Sequence, residues 1–463
     1  MKKIRLTLED IFEIPGAVIY NPDNFRSVNS VSIDSRNIKK KSLFIAIKGE
    51  KFDGHDFINE VVKKGASAIM INERKYKYFT GLELPLITVK NTTASLGEIA
   101  KTWRRKLNAK VIGITGSAGK TSTKELLASI LSEKYKVNKT KLNNNNHIGV
   151  PLTILSTSEN HEVLVLEHGT NHFGEISYTA DIANPDYALI TNIGDSHLEF
   201  LKNKKGVFKE KAALFSATMK NSGTLFVNYD EPQLIKAVRG YKKKITYSFD
   251  SKTDVRGRLL GPDEKGKEKI EIKYKNHKIS GSFLYGEQNA KNLLASSTVA
   301  FRLGVTKTQI INGIKKFKNV NRRLNVKNYN NNFTMIDDSY NANPDSSKLA
   351  LELLNKISKG RKTIALLGDM LELGSVGAKY HKDLAPVINR NKIDKVITIG
   401  RLMKSLNKEL KAKKIDCRHF SSRSELRRYL RSLGHKNSVV LIKGSRGMKM
   451  EEFVKTIEDK ISG

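Results

Sequence analysis

The pattern of apolar and polar positions divides the chain into three regions, each built from alternating strands and helices. In the first region, residues 1–86, two apolar runs read as buried strands and flank an amphipathic stretch that ends at Gly65: LFIAIKG, DFINEVVKKG and ASAIMI. This order of elements predicts a small N-terminal α/β unit that ends near Pro85.

The second region, residues 87–317, opens with a helix predicted from the capping-box spacing of Ser95 and Glu98, with Trp103 on its apolar face. The strand KVIGITG then passes through the turn GSAGK into a helix, and the apolar strands VLVLEHG and YALITNIG follow. Such alternation predicts a mostly parallel sheet with helices on both faces. From about residue 243 to 284, the short polar strands ITYSF, EKIEIKY and KISGSF predict an antiparallel edge or an insertion.

The third region, residues 318–463, again alternates strands with helical stretches. The strands are FTMIDD, KTIALLGD, KVITIG and SVVLIKGS, and the helical stretches lie around residues 349–357, 381–388, 402–410 and 425–433. This is the pattern of a doubly wound, Rossmann-like unit. The predicted fold class is therefore α/β with three domains: a small N-terminal unit, a central parallel-sheet domain and a C-terminal Rossmann-like domain.

The net charge of +36 is the main departure from an average composition, because 83 Lys and Arg residues face 47 Asp and Glu residues. Such a charge favours polyanionic partners, either nucleic acid or small phosphorylated substrates. The lysines are spread along the whole chain in short runs, however, and no aromatic-interleaved basic motif accompanies them. We therefore interpret the charge as a compositional bias of solvated faces and expect no nucleic-acid partner.

The composition and the chain start indicate a soluble cytoplasmic protein. Charged residues interrupt the apolar positions of MKKIRLTLEDIFEIPG, so we expect no signal peptide, and no apolar run reaches the length of a membrane span. Cys417 is the only cysteine, which excludes an intramolecular disulfide and multi-cysteine metal sites. A reducing compartment, the cytoplasm, fits this cysteine usage.

The segment GITGSAGKTSTKELL carries the strongest chemical signal, because a buried strand leads through glycines and Lys-Thr into a helix. Gly116 and Gly119 allow backbone N–H groups to turn towards a phosphate, Lys120 can reach the β and γ oxygens, and the Thr121 hydroxyl can bind Mg²⁺. The common form of this motif has a glycine where this chain has Ile114. We predict a mononucleotide site. The alternative is that the glycines form an ordinary tight turn between strand and helix without a binding role.

Two further polar residues follow strands of the same predicted sheet. Glu167 ends the strand VLVLE, and His197 follows the strand YALITNIG. The carboxyl ends of parallel strands share one edge of a sheet, which is where such folds bind ligands. Taken alone, Glu167 reads as a solvated strand end and His197 as a loop histidine, but beside a phosphate loop Thr121 and Glu167 supply the hydroxyl and carboxylate of a magnesium site.

The loop TGSAGKTST resembles the nucleotide loop of Mur ligases and their folylpolyglutamate synthetase relatives, and the resemblance continues over nearly the whole chain. VSIDSRNIKKKSLFIAIKGEKFDGHDF is similar to the UDP-sugar-binding N-terminal domain of the family, and NNNNHIGVPLTIL and LEHGTNHFGEI to its central domain. IDDSYNANPDSS, LLGDMLELG and IKGSRGMKM are similar to its C-terminal domain. DDSYNANP and GDMLELG look like the branch of the family that adds D-alanyl-D-alanine, and the DNPR signature of the lysine- or diaminopimelate-adding branch is absent.

The resemblance implies an ATP-dependent, ADP-forming ligase of peptidoglycan synthesis. It implies that D-alanyl-D-alanine is joined to UDP-N-acetylmuramoyl-tripeptide through an acyl phosphate, with two Mg²⁺ ions and a carbamylated lysine. We expect a monomer that does not insert into a membrane. Two alternatives remain open: a Mur-type or folylpolyglutamate-like ligase with another donor, and a nucleic-acid-binding nucleotide switch.

The resemblance also implies residue roles. Lys120, His197 and Lys211 are the expected catalytic residues, and Thr121, Glu167, His197 and Lys211 the expected metal ligands. The expected ATP-binding residues are Thr115, Gly116, Ser117, Ala118, Gly119, Lys120, Thr121, Ser122, Asn289, Asn292, Arg323, Asp338, Asn341 and Asn343. The expected substrate-binding residues are Ser35, Arg36, Lys48, Asp53, Gly54, Asn146, His147 and Asn171.

The lysine that becomes carbamylated has two candidates in the segment FKEKAAL. Counting from the pair Gly206 and Val207 gives Lys211 the family position, but the context EKAA departs from the family's AKGE, so Lys209 remains an alternative. At the adenosine end, GEQNAKNLLA has Gln288 where the family often has histidine. That segment also reads as the opening of an amphipathic helix.

Overall fold

The computed structural model describes residues 4–462, and the N-terminal part is built on a five-stranded sheet of order β1-β5-β4-β3-β2. All neighbouring strands in it are parallel except β1 and β5. Its strands are β1 (Val18–Tyr20), β2 (Ser30–Ser32), β3 (Ser42–Ile45), β4 (Ala66–Asn72) and β5 (Leu86–Val89). Its helices are α1 (Leu8–Phe12) and α2 (Ile58–Lys63), with short 3₁₀ turns at Pro22–Asn24, Ser35–Asn37, Gly54–Phe57 and Glu73–Tyr78.

The last strand of this sheet crosses the boundary predicted at residue 86. All four residues of β5 are buried, and the strand pairs with both β1 and β4. A buried strand with partners on both sides cannot be divided between two domains without exposing its backbone groups. We therefore propose a division after Val89, whereas the division near residue 318 stays a prediction.

The central part is built on a nine-stranded sheet of order β14-β13-β12-β11-β10-β9-β6-β8-β7. Its strands are β6 (Lys110–Thr115), β7 (Val137–Lys139), β8 (Val163–Glu167), β9 (Tyr187–Ile190), β10 (Thr224–Asn228), β11 (Lys244–Ser248), β12 (Val255–Pro262), β13 (Lys267–Tyr274) and β14 (His277–Tyr285). Its helices are α3 (Thr92–Lys106), α4 (Lys120–Leu131), α5 (Gly149–Leu155), α6 (Glu175–Ala183), α7 (Leu198–Leu201), α8 (Lys204–Lys220), α9 (Pro232–Ala237), α10 (Glu287–Arg302) and α11 (Lys307–Lys316).

Successive residues of the central strands point to opposite faces of the sheet, and both faces are covered. Ile112 and Ile114 pack with α4, α10 and α11, whereas Val111 packs with α3, α5 and α6. This confirms the predicted α/β class with helices on both faces. Strands β12 to β14 form an antiparallel meander at one edge, as predicted, but β11 is parallel to its neighbours and β12 was not predicted.

The predicted capping box at the start of α3 is wrong. The helix begins three residues earlier than Ser95, because the Asn91 side chain accepts hydrogen bonds from the N–H groups of Thr93 and Ala94 and caps it. Ser95 is buried inside the helix and donates to the carbonyl of Asn91. Asn91 and Ser95 can both satisfy the backbone donors at the start of a helix. The spacing of the apolar residues alone therefore did not show which of the two caps α3.

The C-terminal part is built on a six-stranded sheet of order β15-β16-β20-β17-β18-β19, parallel except between β15 and β16. Its strands are β15 (Asn325–Tyr329), β16 (Phe333–Asp338), β17 (Lys362–Gly368), β18 (Lys395–Ile399), β19 (Cys417–Phe420) and β20 (Ser438–Lys443). Its helices are α12 (Pro344–Ser358), α13 (Gly377–Lys382), α14 (Ala385–Arg390), α15 (Met403–Ala412), α16 (Arg423–Ser432) and α17 (Glu451–Ser462), with 3₁₀ turns at Gly374–Val376 and Arg446–Met448. Within residues 4–462, no helix is both long and apolar enough to cross a membrane.

Trp103 connects the packing of the N-terminal and central parts. Its side chain is fully buried in a cluster with Ile11 and Leu96, and its indole N–H donates to the carbonyl of Thr157 at 2.8 Å. We expect Trp103→Ala to lower the free energy of unfolding by about 3–5 kcal/mol, because it leaves a large cavity and an unpaired carbonyl. Urea unfolding followed by circular dichroism measures this loss. Phe12→Ala, at a side chain that is 62% exposed, is the control, and equal losses in the two variants would contradict this packing.

Candidate active site

A cleft of about 400 Å³ lies between the central and C-terminal parts of the chain. Strands β6, β8 and β9 end on its central side, and β16 and β20 end on the opposite side. Most of the predicted ATP-binding residues line it, together with Glu167, Asn171 and His197: Ser117, Ala118, Gly119, Lys120, Ser122, Asn289, Asn292, Arg323, Asp338, Asn341 and Asn343. The cleft thus brings together residues that are more than 200 positions apart in the sequence.

The phosphate loop has the backbone that its glycines predict. Gly116 and Gly119 both have positive φ, and the loop leads directly from β6 into α4. A Cβ atom at Gly116 would lie 1.9 Å from the Thr191 hydroxyl oxygen, and one at Gly119 would lie 2.4 Å from Asn292 Oδ1. Both positions therefore exclude a side chain, and the predicted adenosine residue Asn292 lies directly against the loop.

The Lys120 side chain folds back over the loop and donates to the carbonyl of Gly116 at 2.7 Å. Burial lowers the pKa of Lys120, Glu167 and Glu372 oppose this effect, and Arg323 adds to it by charge repulsion. An anion in the cleft would offset this cost of burying a cation. The geometry suits a phosphate oxygen as an anionic partner of Lys120.

Glu167 is almost fully buried at the end of β8, where three side chains from two segments surround it. Its Oε1 atom accepts from the Thr121 hydroxyl at 3.0 Å and from Asn145 Nδ2 at 2.8 Å, and its Oε2 atom lies 3.7 Å from Lys124 Nζ. Oε2 accepts no hydrogen bond in the described residues. A buried carboxylate oxygen without a hydrogen bond beside a threonine hydroxyl fits a cation ligand.

His197 contacts the C-terminal part at the other side of the cleft. Its Nδ1 atom lies 2.6 Å from Glu372 Oε2, and the N–H of Glu199 donates to the carbonyl of Glu372 at 3.1 Å. Burial lowers the pKa of His197, with Glu372 opposing and Lys120 and Lys211 adding to the effect. Glu372 lies within the quoted motif LLGDMLELG, but no pattern in the sequence singled it out as a partner of His197.

The two candidate lysines differ in their surroundings. Lys209 is exposed, whereas Lys211 is almost fully buried in α8. Burial lowers the pKa of Lys211 well below its ordinary value, and the charge of Lys120 lowers it further, against the opposing effect of Glu210. The geometry thus favours Lys211 as the lysine that holds a neutral amine.

The C-terminal side of the cleft carries a second network. Asp338 accepts from Lys443 Nζ at 2.5 Å and from the N–H of Leu324 at 3.1 Å, and Lys443 also donates to the carbonyl of Asn341. The Arg323 guanidinium lies 4.1 Å from the centre of the Tyr340 ring. Lys443 and Tyr340 also line the cleft, and neither was predicted as a site residue. For Lys443 the reason is that a buried lysine in an apolar strand gives no local signal.

The remaining predicted residues lie outside the lining of this cleft. Thr115, Gly116, Thr121 and Lys211 are buried and do not line it, and Asn146 and His147 are exposed near α5. In the N-terminal part, Arg36 is exposed and forms a two-pronged ion pair with Asp34. The other predicted substrate residues there are Ser35, Lys48, Asp53 and Gly54, and Lys48 and Asp53 pair through a β-bridge.

Three family models match the chain in the order of its three sheets. They describe the Mur ligase family, catalytic domain (residues 27–104), the Mur ligase middle domain (residues 114–300) and the Mur ligase, glutamate ligase domain (residues 322–446). The chain belongs to the Mur ligase family. Among its relatives are the UDP-N-acetylmuramoyl-tripeptide–D-alanyl-D-alanine ligases of Bacillus subtilis and Escherichia coli, at 33% and 31% identity; each match covers 98% of this chain and 98% or 99% of the relative.

Solved structures agree with this assignment. MurF from Acinetobacter baumannii matches 99% of this Mur ligase and 100% of its own chain, with a TM-score of 0.87 and 26% identity. MurF ligase from Thermotoga maritima, solved in complex with ADP, matches 94% of this chain and 98% of its own, with a TM-score of 0.80 and 27% identity. The three-domain fold predicted from the sequence is therefore confirmed.

The close approach of Gly119 and Asn292 predicts a test of the nucleotide loop. Gly119→Ala should weaken ADP binding at least about 100-fold. The new methyl group would have to displace Asn292, and the backbone of the alanine would be strained at this positive φ. Gly174→Ala is the matched control, since Gly174 also has positive φ but nothing lies within 4 Å of the added atom. Isothermal titration calorimetry with ADP measures both variants. Near wild-type affinity in Gly119→Ala would contradict the loop assignment.

Proposed function

We propose that this Mur ligase joins D-alanyl-D-alanine to UDP-N-acetylmuramoyl-tripeptide with cleavage of ATP to ADP and phosphate. The relatives from B. subtilis and E. coli carry this activity in their names and align over nearly the whole chain. The observation that carries the proposal is the meeting, at one cleft, of the phosphate loop with the C-terminal segments IDDSYNANP and LLGDMLELG. The product would be the UDP-muramoyl-pentapeptide of peptidoglycan synthesis.

The phosphates of ATP would bind to the loop from Thr115 to Ser122 and to Lys120, and the adenosine would bind near Asn289 and Asn292. Backbone N–H groups at the start of α4 favour an anion, and Asn292 already contacts the loop. On the C-terminal side, Arg323, Asp338, Asn341 and Asn343 would contact the nucleotide. Asn343 Nδ2 donates to the carbonyl of Ser117 at 3.4 Å, which supports a nucleotide site shared by the two parts.

The residues present also fit the two Mg²⁺ ions that the family resemblance implies. Within residues 4–462, no three His, Cys, Asp or Glu side chains form a ready metal site, so the proposed ligands include the Thr121 hydroxyl and a modified lysine. Thr121 and Glu167 would hold one ion, and Glu167, His197 and carbamylated Lys211 the other. Bound magnesium would neutralise the phosphate oxygens and polarise the phosphoryl group.

Lys211 would serve as a carbamate because its surroundings favour the neutral amine. The amine nitrogen attacks the carbon of CO₂ and loses one proton, which gives an anionic oxygen ligand in place of a cation. Since burial and Lys120 lower the pKa of Lys211, the neutral form is present above that lowered pKa and is lost as the pH falls through it. Ligation should therefore decline on the acid side.

The reaction would proceed in two steps that this cleft can support. A carboxylate oxygen of the tripeptide attacks the γ-phosphorus of ATP, ADP leaves, and an acyl phosphate forms. The amine of D-alanyl-D-alanine then attacks the acyl carbon, loses a proton, and phosphate leaves with the original carboxylate oxygen. Lys120 would hold the transferring phosphoryl group in line, and the C-terminal wall of the cleft would exclude water that could hydrolyse the acyl phosphate.

The UDP-linked substrate would bind between the N-terminal sheet and the central cleft. Ser35, Arg36, Lys48, Asp53 and Gly54 are the proposed contacts to its UDP-sugar end, because a guanidinium fork suits diphosphate oxygens. Asn146, His147 and Asn171 would contact its peptide end. Since ATP and this nucleotide precursor are cytoplasmic metabolites, we also propose that the protein is cytoplasmic. We further propose that it acts as a monomer.

A ligation assay tests the proposed activity. With ATP, Mg²⁺ and D-alanyl-D-alanine, we expect ADP release with the tripeptide that ends in lysine or the one that ends in diaminopimelate, and no stimulation by DNA or RNA. Lys120→Ala should reduce ADP release at least about 1,000-fold, because the transferring phosphoryl group loses its cation. Stimulation by nucleic acid alone would instead support a nucleotide switch, and near wild-type turnover of Lys120→Ala would contradict the phosphate-loop assignment.

Replacement of each of the two candidate lysines in α8 by alanine tests the proposed carbamate. Lys211→Ala should lose at least about 100-fold in ligation, and a small carboxylic acid such as acetate should restore part of it by occupying the vacated space. Lys209→Ala, at an exposed position of the same helix, should keep near wild-type activity. Loss of activity in Lys209→Ala instead, or ¹³C NMR of the wild type without a carbamate signal after ¹³CO₂ addition, would overturn the assignment of Lys211.

A further inference from the structure

The helix α12 of the C-terminal part contacts the central part at both of its ends. At the N-terminal end, Asn343 donates to the carbonyl of Ser117 in the phosphate loop. The carboxylate of Asp345 lies against Gly194, where a Cβ atom would come within 2.2 Å of Asp345 Oδ2. The start of this helix is thus fitted closely to the nucleotide site.

The other end of α12 rests on the antiparallel meander at the edge of the central sheet. Lys356 Nζ lies 3.2 Å from Glu268 Oε1 in β13, and Lys359 Nζ donates to the carbonyl of Glu264 in the turn before that strand. Gly266 in the same turn lies against Ile357, whose Cγ1 atom would be 3.3 Å from an added Cβ. Neither Glu268 nor Lys356 lines the nucleotide cleft.

Glu268 is unusual in its dependence on the other part of the chain. Its side chain is only 3% exposed, and Lys356 is its one side-chain hydrogen-bond partner within the described residues. A carboxylate that is buried without a cation is strongly unfavourable, and Lys356 supplies that cation from the C-terminal part. The ion pair therefore favours the arrangement in which the two parts are in contact.

We propose that Glu268 and Lys356 are positioning residues that hold α12 on the meander and thereby keep Asn343 at the phosphate loop and Asp345 against Gly194. One rigid helix connects the two contacts, because α12 runs without interruption from Pro344 to Ser358. Loss of the ion pair lowers the population of the binding-competent arrangement, and the apparent affinity for ATP falls by the same factor. Saturating ATP restores that arrangement, so the maximal rate changes little.

The test compares Glu268→Gln with Glu352→Gln in the full-length protein. Glu352 also lies on α12, but its ion pair with Arg390 of α14, at 3.2 Å, stays within the C-terminal part. Glu268→Gln should raise KM for ATP about tenfold with kcat within about twofold, and Glu352→Gln should change neither. The charge reversal Glu268→Lys with Lys356→Glu should recover most of the loss. This turnover readout rests on the proposed function.

Small-angle scattering of the nucleotide-free proteins gives a readout that does not depend on activity. Glu268→Gln and Lys356→Gln should both have a larger radius of gyration than the wild type, and saturating ADP with Mg²⁺ should reduce the difference. Lys356 is 40% exposed, so its exchange tests the ion pair without disturbing the core. Wild-type scattering and wild-type KM in both variants would overturn the inference, whereas a wild type that scatters as expected but does not ligate would overturn only the proposed function.

Discussion

The crowding of cationic side chains around one phosphate loop is the constraint on which the site depends. Burial lowers the pKa of both Lys120 and Lys211, and charge repulsion lowers each further: Arg323 of the C-terminal part acts on Lys120, and Lys120 acts on Lys211. Glu167 and Glu372 supply only part of the compensating charge. Such a site is stabilised by polyanionic ligands, and the proposed conversion of Lys211 into an anionic carbamate would relieve the repulsion between the cations.

The sheet topology makes this crowding possible. The parallel order of β9, β6 and β8 brings the phosphate loop, Glu167 and the segment leading to His197 to one edge of the central sheet. The carboxyl ends of β16 and β20 then approach the same edge from the C-terminal part. The central part by itself lacks the C-terminal side chains of the cleft, and the C-terminal part by itself lacks the phosphate loop. The proposed reaction therefore requires contact between the two parts.

The sequence predicts what local pattern encodes and misses what depends on distant segments. The strand Phe333–Asp338 agrees with its prediction because its apolar run is bounded by polar residues, and the phosphate loop is evident because glycine and lysine spacing is local. Strand β19 and helix α17 were missed, and the predicted helix around residues 381–388 is two helices, α13 and α14. Glu372 and Lys443 were missed as site residues because their partners lie far away in the sequence.

The route of the carboxylate oxygen tests the central claim most directly, because an acyl phosphate leaves a mark on the products. Tripeptide substrate labelled with ¹⁸O in its terminal carboxylate is ligated to D-alanyl-D-alanine, and the released phosphate is analysed by mass spectrometry. If the phosphoryl group is transferred to the carboxylate, one ¹⁸O atom appears in each phosphate formed. Phosphate without ¹⁸O, released together with the ligated product, would contradict the account.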